Sequence, residues 1–168
     1  MVDALVPFAG KPIIGLEPSC LFSLRDEFPV LGFGQLAKSA LLFEEFLARN
    51  PGKLKLKETK QEALLHGHCH QKAFDVMPAV EKVLGMVPGL KVSTVQTSCC
   101  GMAGSFGYEA EHYDVSMKMA ELSLLPSIRN ASSETVLVAD GTSCRHQIAD
   151  GAGRRAVHVA RVLEQALA

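Results

Sequence analysis

Short apolar runs recur along this chain, each closed by a turn and followed by a stretch with helical spacing. Lys11 to Leu16 (KPIIGL) is short and β-branched, Glu17-Pro18-Ser19-Cys20 turns the chain, and Leu21 to Glu27 reads as a short helix. Gly34 to Asn50 carries Leu36, Leu41, Leu42, Phe46 and Leu47 on one stripe and stops at Asn50-Pro51-Gly52, which predicts an amphipathic helix. Lys-rich Gly52 to Gln61 reads as a solvated connection. Ala63 to His68 (ALLHGH) predicts the second strand, and Ala73, Phe74, Met77, Val80, Val83 and Leu84 then recur at three- and four-residue steps, as on a helix packed against a sheet. Leu90 to Thr97 predicts the third strand, and a helix runs from about Tyr108 to Asn130 with a bend near Pro126. Thr135 to Ala139 predicts the fourth strand, a helical turn follows Cys144, and Val157 to Leu167 forms the last helix. Strands alternating with helices of this length predict βαβ units: a three-layer, Rossmann-like α/β domain with a mostly parallel sheet.

Composition narrows the class. At 168 residues, 48% hydrophobic and 21% charged, the chain is long enough for one compact domain with its own core. A net charge of -1 gives no basic footprint for nucleic acid. No apolar run approaches the roughly 18 residues of a membrane-spanning helix, and the start lacks the basic and apolar stretches of a signal peptide, so the expected location is cytoplasmic, with peripheral membrane attachment the other option. In a reducing compartment, cysteines point to metal, cluster or redox work before structural disulfides.

The five cysteines carry that chemistry. Cys20, Cys69, the pair Cys99-Cys100 and Cys144 each stand near the end of a predicted strand, and a parallel sheet with right-handed crossovers brings all such ends to one edge. A second signal is internal. Ile13 to Cys20, with Leu24 and Asp26, resembles Val136 to Cys144, with Ile148 and Asp150: an apolar strand, an acid, a turn, Ser-Cys and a short helix. The later copy has Cys69 and Cys99-Cys100-Gly101 upstream and the earlier has none. The expectation is therefore that residues 1–50 close a preceding half-unit, that residues 51–168 form a complete one, and that the chain, whose start Met1 to Phe8 is apolar, is a fragment of a longer protein.

Thiolates from several loops suit an iron-sulfur cluster, and Gly101 lets the backbone bend beside the cysteine pair. Zinc also takes thiolates, although the Cys-x-x-Cys knuckles common in structural zinc sites are lacking. Thiol-disulfide chemistry at Cys99-Cys100 is the third option.

Three segments carry a family resemblance: Cys69 preceded by His-Gly-His, Thr97-Ser98-Cys99-Cys100-Gly101-Met102-Ala103-Gly104, and Gly141-Thr142-Ser143-Cys144-Arg145-His146-Gln147. They resemble the cysteine-rich CCG domain found in the iron-sulfur subunit of glycolate oxidase, anaerobic glycerol-3-phosphate dehydrogenase, lactate-utilisation proteins and heterodisulfide reductase. The wording of the loops is closest to the carboxyl-terminal region of FAD-linked D-lactate or glycolate dehydrogenases. The resemblance implies an electron-transfer domain of a 2-hydroxy-acid oxidoreductase, not catalytic alone. Its partners would be flavin-bearing and ferredoxin-like regions of the same parent, with FAD held only there, and an acceptor such as a quinone. The ligands it implies are Cys69, Cys99, Cys100 and Cys144, with Cys20 as the closing thiol of the preceding half-unit or an added ligand. Gln147 stands where the family pattern has a second cysteine after Cys144, which favours an ordinary [4Fe-4S] cluster over the non-cubane cluster of heterodisulfide reductase. Zinc remains the alternative cofactor.

Other residues flank these. His66, His68 and His70 alternate, so on a strand they share a face with Cys69 opposite. His68, His70, Arg145 and His146, with Gly101, are the candidates for supporting contacts around the ligands, Arg145 as a cation balancing a negative cluster. Glu17 and Asp140 read as turn caps, His112 and His158 as structural or surface residues, and the methionines as core filling. Gly101-x-x-Gly104-x-x-Gly107 lacks the lysine of a phosphate loop.

Overall fold

Each short apolar strand is followed by a helix, and the parallel pairing of these strands builds the frame. The computed structural model describes residues 2–8 and 10–168, so Met1 and Ala9 lie outside the described residues. The first part runs α1 (Val2–Leu5), β1 (Ile13–Gly15), α2 (Pro18–Ser23), α3 (Glu27–Val30), α4 (Gly34–Ala37), β2 (Ala40–Leu42) and α5 (Phe43–Arg49). The remainder is β3 (Glu62–His66), α6 (Cys69–Ala73), α7 (Met77–Leu84), β4 (Lys91–Thr94), α8 (Tyr113–Glu121), α9 (Leu124–Asn130), β5 (Val136–Ala139), α10 (Thr142–Ala152) and α11 (Val159–Ala166).

The strands form two parallel sheets, β1-β2 and β4-β3-β5, with β3 central in the larger. Leu65 of β3 lies beside Thr94 of β4 and Val138 of β5. Period-two alternation sorts the larger sheet's side chains between two helical layers. Ala63, Leu65 and Val138 join Leu47 of α5, Val80 and Val83 of α7 and Val162 of α11 on one face. Leu137 and Ala139 join Leu124 and Ile128 of α9 and Ile148 of α10 on the other. The protein is therefore a three-layer, Rossmann-like α/β fold, as its pattern predicts. Leu65, Val80, Val83 and Ile128 are fully buried, each contributing about 1.5–3 kcal/mol of apolar burial.

Three predicted helices are corrected. The stripe over Gly34 to Asn50 is not one helix: Ala40–Leu42 is a strand, buried at all three positions and paired with β1. A three-residue apolar run has no period of its own, so its strand character comes from its partner. The helix expected through Ala73 and Leu84 is two, because Asp75 takes a positive φ of 54° between α6 and α7. The long helix over Tyr108 to Asn130 is replaced by two 3₁₀ turns, α8 and α9. Pro126 is the third residue of α9, and its ring conflicts with a helical carbonyl four residues back, so the break falls at Leu122-Ser123.

Polar groups stitch the two sheets together. Asp140, 1% exposed, accepts from Gln71 Nε2 at 2.7 Å and from the Val159 amide at 3.0 Å. His158 Nδ1 accepts from the Ala160 amide, so Nε2 carries the proton and donates to the Leu16 carbonyl at 2.9 Å. Glu17 accepts from the Thr142 amide at 2.9 Å and hydroxyl at 2.7 Å. Glu44, fully buried at the start of α5, is pushed up to about 9 by burial and by the nearby Asp140 charge, so it is neutral at pH 7.

Candidate metal centre

All five cysteines follow a strand's carboxyl end: Cys20 after β1, Cys69 after β3, Cys99 and Cys100 after β4, and Cys144 after β5. Four of them meet. Cys69 opens α6, and His68 caps that helix with Nδ1, which accepts from the His70 amide at 3.2 Å. Cys144 is the third residue of α10 and fully buried, with its Sγ 3.3 Å from that of Cys100. Cys99 is hydrogen-bonded to both Cys100 and Cys69, and its sulfur accepts the Gly101 amide at 3.3 Å.

The bend that permits this is specific to glycine. Gly101 has φ 93°, and a Cβ there would sit 2.2 Å from the Ser116 carbonyl oxygen. Gly141 is the matching close approach on the other side, where a Cβ would lie 2.4 Å from His68 Cδ2 and 3.2 Å from Cys144 Sγ.

The thiols divide electrostatically. Hydrogen bonds from Cys100 and Cys69 pull Cys99 well below the usual thiol range, and the Cys100 hydrogen bond pulls Cys144 down against its burial, with His66 adding to the effect. Cys69 and Cys100 move upward, each held protonated by its sulfur neighbours and by burial. Two thiolates beside two thiols form a donor set that completes its deprotonation as a cation binds. Cys144 also lies in the first turn of α10, where the helix dipole favours negative charge. Lys72 approaches from α6, donating to the carbonyls of Thr97 and Ser98. Burial lowers its pKa while the surrounding cysteines oppose that shift.

A cavity of about 590 Å³ opens beside the thiols, lined by Cys69, Cys99, Cys100, His68, His70, Tyr108, Glu17 and Cys20. Cys20 is exposed at this wall and is not part of the buried group.

The flanking residues fall differently from their sequence reading. His66, His68 and His70 do not alternate on a strand: only His66 is in β3, and His68, Cys69 and His70 turn into α6. The rings of His68 and His70 stack 5.2 Å apart, and burial lowers the pKa of His68. Arg145 turns its guanidinium to the carbonyls of Ala139 and Asp140 and to the Thr142 hydroxyl, closing the end of β5. His146 is exposed and meets the Tyr108 hydroxyl at 2.7 Å through Nδ1. Gln147 is buried, and its Nε2 donates to the Cys100 carbonyl at 2.9 Å and to the Ser116 hydroxyl at 3.0 Å. It holds the bend at Gly101 in place.

Sequence reasoning passed over Lys72 and did not single out His66. Lys72 is one more basic residue in a chain with 17 Lys and Arg, and nothing local marks it. His66 ends an apolar strand, a position where a buried imidazole needs a partner, and that is the signal that could have found it. His66, Cys100 and Cys144 bring one donor atom each within 4.8 Å of one another. Sulfur donors with a buried imidazole match the ligand chemistry of iron-sulfur and zinc centres.

No protein-family model matches the chain, and no solved structure matches it significantly. Curated proteins do. The chain is 32% identical over 165 residues to one of the subunits of anaerobic glycerol-3-phosphate dehydrogenase from Escherichia coli K12, spanning 95% of itself and 41% of that relative. It is 30% identical over 151 residues to D-2-hydroxyglutarate dehydrogenase from Pantoea ananatis, and 31% identical to the Escherichia coli K12 enzyme of the same name, spanning 15% of each. The chain thus covers under half the length of the first relatives and about a seventh of the others, and its homologues are dehydrogenases and dehydrogenase subunits. No helix among the described residues is long and apolar enough to cross a membrane.

Proposed function

We propose that this chain is the iron-sulfur, electron-transfer part of a flavin-linked 2-hydroxy-acid oxidoreductase of the glycolate or D-lactate type, a cysteine-rich CCG half-unit over residues 51–168 with the end of a preceding half-unit over residues 1–50. The observation that carries the reading is the convergence of four thiols from three strand ends, Cys69, Cys99 and Cys100 on the wall of a cavity roomy enough for a cluster and Cys144 buried against Cys100 behind it. The dehydrogenase relatives, one of them acting by name on a 2-hydroxy acid, support the same context.

In this reading the four cysteines hold a [4Fe-4S] cluster, which when bound supplies one-electron transfer between the flavin-bearing region and an acceptor such as a quinone. The chain's own residues prepare the site. Gly101 and Gly141 let backbone and sulfur approach closely, Gln147 fixes the cysteine-pair bend, and Lys72 places a cation beside the thiolates, where it offsets their negative charge. Hydroxy-acid oxidation belongs to the partner region.

One observation favours a zinc centre instead. A tetrahedral site with Zn–S near 2.3 Å spaces its sulfurs about 3.8 Å apart, close to the 3.3 Å between Cys100 and Cys144. Anaerobic purification with iron, sulfide and zinc quantification separates the two. About four iron and four sulfide per chain, with an EPR signal on reduction, is the expected result. About one zinc with neither iron nor sulfide would replace electron transfer with a structural role.

A further inference from the structure

The centre of the larger sheet contains a histidine that the scaffold does not use. His66 ends β3, the central strand, and is 1% exposed. Both of its ring nitrogens are buried with no nitrogen or oxygen partner, which holds for no other described histidine, and the polar group it faces is the Cys144 sulfur. Among the others, His68 and His158 cap helices and His146 meets Tyr108, while His70 leaves only Nδ1 buried without a partner. Leaving a buried polar group unpaired costs about 1–3 kcal/mol, so a buried imidazole whose neighbour is only a sulfur, a weak hydrogen-bonding group, calls for a better partner. It is aimed at sulfur, with its donor atom within 4.8 Å of those of Cys100 and Cys144, the two most deeply buried thiols. Gln147, where the resemblance expects a further cysteine, has turned its amide to the Cys100 carbonyl and Ser116 and offers no sulfur.

We infer that His66 supplies a nitrogen ligand to the metal centre beside Cys100 and Cys144, filling one of its four protein-ligand positions in place of one of the two less buried cysteines, Cys69 or Cys99. The inference rests on the metal-centre reading. A neutral imidazole beside thiolates gives mixed nitrogen and sulfur coordination, and nitrogen in place of a further thiolate raises a cluster's potential by reducing its negative charge.

The test uses the full chain, anaerobically purified or reconstituted with iron and sulfide, as wild type and as His66→Cys and His66→Gln. If the retained metal is iron, pulsed EPR of the reduced centre reads nitrogen coupling. If it is zinc, absorption at the zinc edge counts nitrogen against sulfur. One directly bound nitrogen is expected in the wild type and none in either variant, with a lower midpoint potential in His66→Cys for an iron centre. An all-sulfur shell in the wild type overturns the assignment even if neither variant folds, and so does a bound nitrogen that persists in a folded variant. Metal held through sulfur alone removes only His66, whereas a wild-type chain that takes up no metal removes the metal-centre reading with it.

Discussion

Two turns in this protein are written almost alike and end in different places. After β1 come Glu17, Pro18, Ser19 and Cys20, and after β5 come Asp140, Gly141, Thr142, Ser143 and Cys144, each an acid followed by a Ser-Cys pair in the first turn of a helix. Both cysteines are the third residue of that helix, α2 and α10 respectively. Cys144 is fully buried against Cys100, and Cys20 is exposed on the cavity wall. The local motif therefore specifies a helix start and a projecting thiol. Whether that thiol joins the buried group depends on its neighbours: β5 is paired with β3, whose end carries His66 and Cys69, whereas β1 is paired with β2, whose end continues directly into α5.

Substituting the two cysteines in turn breaks the comparison most sharply. Cys144→Ser should lower bound metal from about one centre per chain to under about a tenth, because a ligand and its charge are lost together, while Cys20→Ser should retain it. Metal and sulfide quantification reads both, and equal loss in the two variants would mean that Cys20 is a ligand. The two acids come next. Asp140→Asn sets an amide N–H against either Gln71 Nε2 or the Val159 amide inside the core, a loss of about 3 kcal/mol in denaturant unfolding. Glu17→Gln weakens the partly exposed bonds from Thr142 and Ser19, about 1 kcal/mol.

The Glu17 effect also has a pH signature. Burial works to raise its carboxyl, but the hydrogen bonds from Thr142 and Ser19 outweigh burial and leave it below its ordinary value of 4.5. A depressed folded-state value contributes stability above the unfolded value and loses it as pH falls through the folded one. The gap between wild type and Glu17→Gln should thus be full at pH 7 and close below about pH 4.5, as unfolding midpoints across that range would show. A gap independent of pH would assign the loss to packing.

Much of this was legible before any coordinates. The runs around Ala63, Leu90 and Thr135 became β3, β4 and β5 because each is apolar, of strand length and bounded by turn residues. The convergence of thiols followed from parallel connectivity alone. What was not legible depended on partners far away in sequence. Ala40–Leu42 is a strand because β1 lies beside it. His68 leaves the strand because its ring caps α6, with Gln71 Oε1 accepting the His68 amide at 2.9 Å. Arg145 faces carbonyls rather than the thiols because the end of β5 offers three acceptors within its reach.

The sequence by itself determined the three strands of the larger sheet, the placement of every cysteine just past a strand end, and the glycine that the cysteine pair requires. These follow from short-range sterics and from hydrophobic period, which act over a few residues. Only the tertiary structure decided which thiols meet, that Gln147 braces the bend, and that His66 lies buried against Cys100 and Cys144. Burial and hydrogen-bond partnership are properties of groups brought together from distant parts of the chain, and no local pattern encodes them.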